Sequence, residues 1–425
     1  MDLWRFFRRP APADPRALRG ETLEIATSVA TFLTRTGLFD REAYLQKYPD
    51  VAMSGLDPLH HFAMVGMHAG RSFASPATIA RVWQDIEQQT PPSSRGPAKA
   101  PTDSSVAIYV SSHGNFFMRE IADVLKAGFD DAGVRAIVLD ENAKPPAATH
   151  HVVVAPHEFF VLGEGKRWAN DAFVRSAIML ATEQVQSPWF ARSLIFLLRA
   201  KAVADINEQN AALLRKGRVN AAAVQPGYSP SFLPLAAPAP ALPDLPNLPN
   251  AERDFEPSES FAERPLDLLF LGSHTARRER LLDQMALRST GLRTYIHLRH
   301  MDRPLQPATD PMASTAVTAA LLMRSKVLLN IHRDDDPYFE WWRLMQAFWL
   351  KTVVVTEPCF PHSLYKPGRH FFEETPGQIP QLLDWLTRSD EGRAKAEEVR
   401  ARAHTDFIAH SAAKTAALAL LALTA

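Results

Sequence analysis

The sequence is poor in the features that mark several large classes of protein. Its single cysteine, Cys359, excludes an internal disulfide and fits a reducing compartment, where a lone cysteine is more often a buried structural thiol than a nucleophile. Lysine plus arginine and aspartate plus glutamate both number 47, so the zero net charge gives no sign of a general nucleic-acid surface. Neither a Walker A lysine loop nor a complete GxGxxG is present, which argues against an ATPase and a dehydrogenase.

Long apolar runs are also missing at both ends of the chain. The N-terminal MDLWRFFRRPAPADPR is basic and aromatic, but its apolar part is too short for a signal peptide. It is either a disordered basic tail or a segment that contacts an anionic membrane surface. The closing AALALLALTA is far shorter than a membrane span and predicts a helix packed on the body. We therefore expect a cytoplasmic protein, with peripheral contact at the inner membrane face as the open alternative.

Two proline-rich stretches divide the 425 residues, a length that suits two or three domains. They lie at residues 89–105 and 229–264. Because proline lacks the backbone donor that long helices and central strands need, both stretches predict extended linkers. The division that follows is a basic tail and helical module (1–88), a linker (89–105), a first α/β domain (106–228), a second linker (229–264), a second α/β domain (265–400) and a C-terminal helix (401–425).

Strand-like and helix-like segments alternate on both sides of the second linker. Before it, apolar runs such as VAIYV, VRAIVL, HVVVA and SAIMLA are separated by helical patterns, and after it LDLLFLG, LRTYIHL, KVLLNI and TVVVT are separated in the same way. Such alternation predicts parallel sheets with crossover helices. We therefore predict the α/β class, with two Rossmann-like domains that face each other across a cleft and a small N-terminal helical module.

Residues 325–357 are the most informative part of the chain. They read as a buried strand (KVLLNI), a polar loop (HRDDDPY), an amphipathic helix and a second buried strand (TVVVT). The loop falls at the carboxyl edge of the predicted sheet, where open α/β sheets bind ligands. Glu340, Arg343 and Gln346 lie three residues apart and share one polar face at the start of an apolar helix. This face predicts either a ligand contact or a solvated salt bridge between Glu340 and Arg343.

Several segments together resemble glycosyltransferases of the GT-B fold, in particular CgeB-like and group 1-like enzymes. The resemblance rests on FLGSHTARRERLL in the second domain, on LNIH with the E-x2-R-x2-[EQ]-A pattern that follows it, and on ATEQVQSPWF, VADINEQNAALLRKG and QPGYSP in the first domain. It covers roughly residues 104–400. It implies a bacterial transferase that moves a hexosyl or related sugar from a nucleotide-sugar donor to an unidentified glycan, lipid-linked or protein acceptor, as in polysaccharide biosynthesis, with neither metal nor cofactor.

The chain departs from this family pattern in two places. Gln346 stands where a second acidic residue is usual, the one that would hold the ribose hydroxyls of the donor. Glutamine can hydrogen-bond a diol, but without the strength of a charged acceptor. Lys351 replaces a glycine that is usual just before the following strand. Gln346, together with the helical module of residues 38–75, favours a rival hypothesis, in which the protein is a catalytically weak, glycosyltransferase-like binding or assembly protein.

Residues 38–75 carry a separate resemblance, to a short YPDV-type helical module found beside bacterial glycosyltransferases. The matching pattern is YLxxYPDV, G-x-DPLxHF, G and GR. His60, His61 and His68 allow a metal-site interpretation, but adjacent histidines project in different directions on a helix and no acidic or cysteine ligand is placed with them. A structural role for these histidines is the favoured interpretation.

The donor site predicted from the resemblance begins where LDLLFLG ends. Gly272 and Ser273 close this strand shortly before a helix, and such a turn directs backbone N–H groups at an anion such as a diphosphate. Arg277 and Arg278 are equal candidates for bidentate phosphate contact. His332 follows KVLLNI in the LNIH segment. With Glu340, Arg343 and Gln346, these residues form the predicted donor-binding set, and an ordinary turn is the alternative at Gly272.

Catalytic candidates lie in the first domain. His113 in SSHGN and His157 in APHEFF each follow a predicted strand, in loops that we expect to open into the cleft. The pKa of histidine near neutrality suits it to take a proton from an acceptor hydroxyl. We prefer His157, because a buried strand and a proline hold its backbone, and Glu158 is the alternative base. Both histidines have a structural role as their alternative.

The acidic run Asp334, Asp335 and Asp336 invites comparison with the DxD metal motif of GT-A transferases. That motif occurs in enzymes with a single Rossmann-like domain, whereas this run lies late in the second of two predicted domains. We therefore predict a solvated loop and no metal site. A two-domain sugar-nucleotide epimerase shares the predicted architecture but has less motif support.

Overall fold

In the computed structural model of the chain, the residues described are 20–89, 104–236, 241–245, 248, 256–300, 303–308 and 310–424. The predicted basic tail, nearly all of the first linker and parts of the second linker lie outside the described residues. The chain forms two compact units: residues 1–114 with 132–225 and 417–425, and residues 115–131 with 226–416. Among the described residues, no helix combines the length and apolar character that crossing a bilayer requires.

The N-terminal module is helical, as predicted, and belongs to the first unit. Its elements are the helices Gly20–Thr36, Arg41–Lys47, Asp50–Met53, Pro58–His61 and Pro76–Gln89 and the π-helical turn Phe62–Gly66. His61 is buried, and its Nδ1 lies 3.0 Å from the hydroxyl of Tyr44. A side chain at Gly66 would collide with that hydroxyl, so the turn packs tightly against it. The partner and the tight packing are those of a structural histidine.

The first unit contains a six-stranded, entirely parallel sheet. Its spatial order is β2-β1-β3-β4-β5-β6, with the strands β1 Ser105–Tyr109, β2 Arg135–Leu139, β3 His150–Val154, β4 Ala177–Ala181, β5 Ala202–Asp205 and β6 Ala221–Ala223. β4 and β5 are buried at every position, as expected for central strands of a parallel sheet. The carboxyl ends of β2, β1, β3, β4 and β5 therefore follow one another along one edge of the sheet.

Helices alternate with these strands along the chain. They are Phe116–Asp131, Pro156–Phe159, Asp171–Ser176, Pro188–Leu197 and Glu208–Lys216, with a 3-10 helix at Gly163–Trp168. The helix Phe116–Asp131 joins β1 to β2 in sequence but groups with the second unit. Its Val124 and Ala127 belong to that unit's main apolar core, and the amide of Phe116 donates to the carbonyl of Leu305.

The second unit contains a five-stranded parallel sheet. Its order is β11-β10-β9-β7-β8, with the strands β7 Leu266–Ser273, β8 Thr294–Arg299, β9 Ser325–Asn330, β10 Val353–Thr356 and β11 Phe372–Glu373. The accompanying helices are Leu233–Ala236, Ala276–Ala286, Thr315–Arg324, Trp341–Trp349, Ile379–Arg388, Asp390–His410 and Ala413–Ala422, the last of which divides between the units. The predicted boundary at residue 400 falls inside the helix Asp390–His410. Two parallel sheets and a helical module confirm the predicted fold class.

A buried arginine stabilises the amino side of the second sheet. The guanidinium of Arg264 donates to the carbonyls of Leu322, Ser325 and Leu350, at distances of 2.9 to 3.1 Å. Leu322 and Leu350 lie at helix ends, where carbonyls lack partners within the helix. Burial lowers the pKa of Arg264 to about 9. The residue joins the end of the second linker to two helices and a strand, and nothing in the local sequence indicates that role.

Candidate functional site

The carboxyl end of β7 is shaped for a close approach of polar groups. Gly272 is buried, and a Cβ there would lie 2.8 Å from the ring of Phe270 and 3.1 Å from Nη1 of Arg278. The helix that follows begins at Ala276 and is capped by Thr275, whose side chain accepts from the amide of Arg278. The turn between β7 and this helix therefore has the predicted strand–turn–helix form, with its backbone close to a guanidinium.

Arg278 is almost fully buried beneath this turn. Its Nε donates to the carbonyl of Ile331 at 2.9 Å, and its Nη1 donates to Oγ of Ser273 at 2.9 Å. Its Nη2 lies 3.5 Å from Oε1 of Glu340. Burial, and then the charge of Arg343, lower the pKa of Arg278 to about 10. Arg278 thus joins the end of β7 to the segment after β9.

Arg277 is engaged by carboxylates. Its Nη1 and Nη2 lie 2.9 and 2.6 Å from the two carboxylate oxygens of Glu357, and its Nε donates to Asp335 at 2.8 Å. Glu357 is 2% exposed and also accepts from the amide of His332 at 2.7 Å. These hydrogen bonds raise the pKa of Arg277 above its ordinary value. The two equal candidates for phosphate contact therefore differ: Arg277 contacts both oxygens of the buried Glu357, whereas Arg278 shares Glu340 with Arg343.

Glu340 is shared by two arginines. Besides Arg278, Nη2 of Arg343 lies 3.3 Å from Oε2 of Glu340, and Nη1 of Arg343 donates to Oδ1 of Asn330 at 2.8 Å. Burial would raise the pKa of Glu340, but Arg343 and Arg278 hold it below its ordinary value. Only 17% of the Glu340 side chain is exposed, so the pair with Arg343 is not the solvated salt bridge of the alternative interpretation. Around Glu340, two guanidiniums therefore share one carboxylate.

His332 and Gln346 complete the predicted donor set. Nε2 of His332 lies 2.9 Å from the carbonyl of Pro358, so this nitrogen carries the proton. The other ring nitrogen, Nδ1, is buried without a hydrogen-bond partner among the described residues, 4.0 Å from Glu340. Gln346 is also buried, on the helix Trp341–Trp349. Unmet hydrogen-bonding capacity on a buried side chain is what a ligand group would satisfy.

The acidic loop is held by contacts within the protein. Asp335 is 88% exposed yet binds Arg277, while burial and the neighbouring charges of Asp334 and Asp335 raise the pKa of Asp336 to about 6. Among the residues that the structure describes, no group of three or more histidine, cysteine or acidic side chains could hold a metal ion.

A buried carboxyl lies beside the helix that carries Arg343. Trp342 donates from Nε1 to Oε2 of Glu120 at 3.2 Å, and the hydroxyl of Thr315 donates to the other oxygen of Glu120. Burial raises the pKa of Glu120 to about 8, with the charge of Asp123 adding to the rise and that of Arg299 opposing it. Nε of Arg299 is itself buried and without a partner in the described part of the chain. Glu120 and Arg299 are therefore largely buried ionisable side chains of the second unit that the sequence analysis did not identify.

His113 is the exposed member of the two candidate histidines. Its side chain is 63% exposed, and its Nε2 lies 3.7 Å from Oε1 of Glu141, which is fully buried. Glu141 accepts from the amide and the hydroxyl of Ser112 at 2.8 and 2.6 Å. Gly163, in the left-handed region at φ 51°, leaves room for the imidazole, because a Cβ there would collide with its ring. Three segments thus meet at His113.

His157 is buried instead. Its Nε2 lies 3.4 Å from Oε1 of Glu183 and 4.0 Å from Oε1 of Glu158. Burial lowers the pKa of His157, and the charge of Glu183 opposes that shift. The preceding Ala155 has φ 52°, a conformation that costs a non-glycine residue free energy, so the backbone before His157 is strained. The side chain of His157 is only 3% exposed.

Two further acceptors lie along the same edge. Asp205, at the end of β5, is fully buried; its Oδ1 accepts from the amide of Asn207, and its Oδ2 has no partner among the described residues. Burial raises the pKa of Asp205 well above its ordinary value, and the charge of Glu183 adds to the rise. Asn210 donates to the carbonyl of Glu183 at 2.9 Å and lies 3.5 Å from Oδ1 of Asp205. Oε1 of Gln186 is likewise buried without a partner in the described chain.

The structure brings the predicted residues together in two sets. In the second unit, contacts link Ser273, Arg277, Arg278, His332, Glu340 and Arg343, with Gly272 beside them. In the first unit, a Cβ at Gly114, next to His113, would collide with Glu158, the residue that follows His157. Sequence reasoning missed Glu120, Glu141, Glu183, Asp205 and Glu357. All but Glu120 lie at or just after the end of a strand, which is the one signal that could have found them.

Comparisons with known proteins give only distant likenesses. No family model matches the sequence, and no curated protein matches it. Among solved structures, it is similar to an alpha-glucosyltransferase in complex with UDP, at 10% identity and TM-score 0.47, over 72% of this chain and 96% of that one. HepE of Anabaena with UDP-glucose is similar at 10% identity and TM-score 0.43, over 75% and 98% of the two chains. A glycosyltransferase from Rickettsia africae is similar at 13% identity and TM-score 0.43, over 76% and 98%.

Proposed function

We propose that the protein is a metal-independent glycosyltransferase of the GT-B type, whose second unit binds a nucleotide-sugar donor at the carboxyl edge of its sheet. The observation that carries this proposal is the shared use of Glu340 by Arg278 and Arg343. Two guanidiniums on one carboxylate leave a positive charge in a poorly solvated place, and such a charge calls for an anion. A diphosphate at the turn after β7 supplies that anion, and arginine suits bidentate phosphate contact.

The remaining donor contacts follow from the unmet hydrogen bonds. Nδ1 of His332 is an acceptor for a hydroxyl of the donor, since its other nitrogen is occupied by the Pro358 carbonyl. Gln346 is placed on the same helix as Arg343 and suits a neutral contact with a diol. Arg277 supports the site through Glu357, which also holds the amide of His332. In this proposal Arg277 shapes the loop, and Arg278 with Arg343 contacts the diphosphate.

The first unit supplies the acceptor side of the reaction. The bond between the anomeric carbon and the diphosphate oxygen breaks, a bond from that carbon to the acceptor oxygen forms, and the acceptor proton passes to a base. His157, His113 and Glu158 are the proposed bases. His113 is the exposed one and His157 the buried one, so they differ in how an acceptor could reach them.

A donor panel tests this function. Binding of UDP-, GDP- and ADP-sugars is measured by calorimetry, and release of nucleotide is followed with and without hydroxyl acceptors. We expect one nucleotide class to bind, and Arg278→Ala to weaken it. Arg280→Ala is the matched control, because Arg280 is an exposed arginine of the same helix. Absence of binding across the whole panel contradicts the proposal.

A second candidate is the glycosyltransferase-like binding or assembly protein. The observation that favours it is Gln346, a neutral side chain where the resembled family has an acid. The same panel separates the two candidates: tight donor binding without nucleotide release, with any acceptor supplied, supports the binding protein.

A further inference from the structure

The carboxyl edge of the first sheet contains hydrogen-bond acceptors that have no donors. Oδ2 of Asp205 and Oε1 of Gln186 are both buried and lack partners within the described residues. Glu183 lies with them: Asn210 donates to its carbonyl and approaches Oδ1 of Asp205. A buried acceptor left without a donor costs free energy, so this group of side chains is adapted to a ligand that donates hydrogen bonds.

The charges around these acceptor atoms indicate which kind of hydrogen-bond donor a ligand should supply. The basic group that lies within 4 Å of the Glu183 carboxylate is the imidazole of His157, at 3.4 Å, and burial lowers the pKa of that imidazole. Asp205 shows no ion pair among the described residues, and its pKa is raised by burial and by Glu183. Within the described part of the chain, two carboxyl groups therefore share a poorly solvated place without a permanent positive charge. A neutral polyol supplies donors only, whereas an ammonium group supplies donors and the missing charge.

We propose that the first unit binds a hydroxyl acceptor carrying a protonated amine, held by Glu183 and Asp205 beside His157. This inference rests on the proposed function, because only a transferase has an acceptor, and it adds the chemical class of that acceptor. The ammonium group donates to Oδ2 of Asp205 and to the carboxylate of Glu183, whose Oε2 also accepts from the hydroxyl of Ser187. A second polar group of the same molecule donates to Gln186. An anionic acceptor is repelled by the Glu183 carboxylate.

Three matched sugars test the proposal on the full-length protein. Glucosamine, glucose and glucuronic acid share one ring and differ in carrying a positive, a neutral or a negative charge. Binding is followed by ligand-observed NMR at neutral pH and low salt. We expect glucosamine to bind about 10-fold or more tightly than glucose, the range for a charge-assisted hydrogen bond, and glucuronic acid to bind least. Equal binding of the three sugars, or binding of none, overturns the proposal.

Variants connect the preference to these side chains. Glu183→Gln keeps an acceptor oxygen but removes the charge, and we expect it to reduce the glucosamine preference about 10-fold. Asp205→Asn is the second variant, used in the same way. Glu164→Gln is the control, because Glu164 is an exposed acid of the same unit. An unchanged preference in both folded variants overturns the proposal.

The measurement also separates this proposal from the proposed function. Sugar binding to the first unit requires neither donor nor turnover. A protein that binds glucosamine selectively but no nucleotide-sugar disproves the transferase and leaves the amine site standing. A protein that transfers sugar with no preference for amines disproves the amine site alone.

Discussion

The carboxyl edges of the two sheets differ in the buried polar atoms that lack a hydrogen-bond partner among the described residues. In the first unit the unpartnered buried atoms there are acceptor oxygens, on Asp205 and Gln186. In the second unit they include a guanidinium N–H of Arg299 and the ring nitrogen Nδ1 of His332. The first edge has carboxyl groups in excess, and the second has guanidiniums in excess around Glu340. Two sheets of one topology class therefore present different charges at their carboxyl edges, and the two ligands that we propose, a cationic hydroxyl compound and a diphosphate, follow that difference.

The sharpest test of the first edge is the removal of its buried imidazole. We expect His157→Ala to lower turnover by about 10²–10⁴-fold, the usual range for a general acid–base group, while donor affinity changes little. Steady-state kinetics and donor titration on the folded variant provide the measurement. His113→Ala is measured alongside, because His113 is exposed where His157 is buried. Turnover near that of the wild type returns His157 to a structural role and leaves His113 and Glu158 as the candidates.

The second unit also contains a buried carboxyl group, that of Glu120, beside the helix Trp341–Trp349. Because its pKa is raised from 4.5 to about 8, the folded protein holds this proton more tightly than the unfolded chain does. The free energy of unfolding should therefore be highest below about pH 4.5, fall as the pH rises toward 8, and level off above it. We expect this fall to amount to about 4–5 kcal/mol, and Glu120→Gln to remove it.

Denaturant unfolding of the wild type and Glu120→Gln at several pH values measures the difference. Glu398→Gln is the control, because Glu398 is exposed on the helix Asp390–His410. Parallel pH profiles for the wild type and Glu120→Gln would show that Glu120 is ionised at neutral pH, and the second edge would then be less cationic than the comparison states.

The two adjacent arginines of the second edge differ in the carboxylates that they contact. We expect Arg278→Ala to weaken nucleotide-sugar binding by about 1.5–3 kcal/mol, because a charged hydrogen bond is lost. Arg277→Ala leaves Glu357 buried without its charged partner, so we expect this variant to lose stability as well as donor affinity. Calorimetry and thermal unfolding of the two single variants and the double variant separate these effects. Unchanged affinity in all three variants disproves the phosphate site.

Non-glycine residues in the left-handed region occur in both units, at Ala155 and Arg218 in the first and at Lys351 in the second, and the smallest prediction compares Lys351 with Ala155. Lys351 has φ 53° and Ala155 has φ 52°. Lys351→Gly should raise the free energy of unfolding by about 0.5–1 kcal/mol, because glycine adopts this conformation at low cost and the exposed pair with Glu259 contributes little. Ala155 is fully buried, so Ala155→Gly removes packing as well as strain. Thermal unfolding of both variants tests this, and a loss of stability in Lys351→Gly would contradict it.

The sequence was sufficient for the fold class, for a physical reason. Runs such as HVVVA and TVVVT are largely apolar, and they form β3 and β10, whose valines are buried on both faces of parallel sheets. Periodicity likewise located the helix Trp341–Trp349 and its polar start at Glu340 and Arg343. The pairing order of the strands and the last short strand, β11, depend on contacts between distant segments and were not predicted.

The site was only partly predictable for the same reason. The sequence around Arg277 does not show that it binds Glu357, which lies 80 residues away. The sequence around Glu120 likewise does not show its contact with Trp342, which lies 222 residues away. Lys351 stands where the resembled family usually has glycine, and its backbone is in the left-handed region, which glycine adopts at low cost. The sequence alone does not show this backbone angle. The predicted cleft, the domain boundaries and the roles of the individual site residues stay predictions.

The membership of the helix Phe116–Asp131 has a consequence for how this gene can be divided. The chain passes between the two units four times, at residues 114–115, 131–132, 225–226 and 416–417. Neither unit is therefore encoded by one continuous stretch of the gene. Dividing the gene at the second proline-rich linker would remove the helix Phe116–Asp131 from the second unit and residues 417–425 from the first. A single crossover within the gene therefore cannot exchange one whole unit for that of a relative.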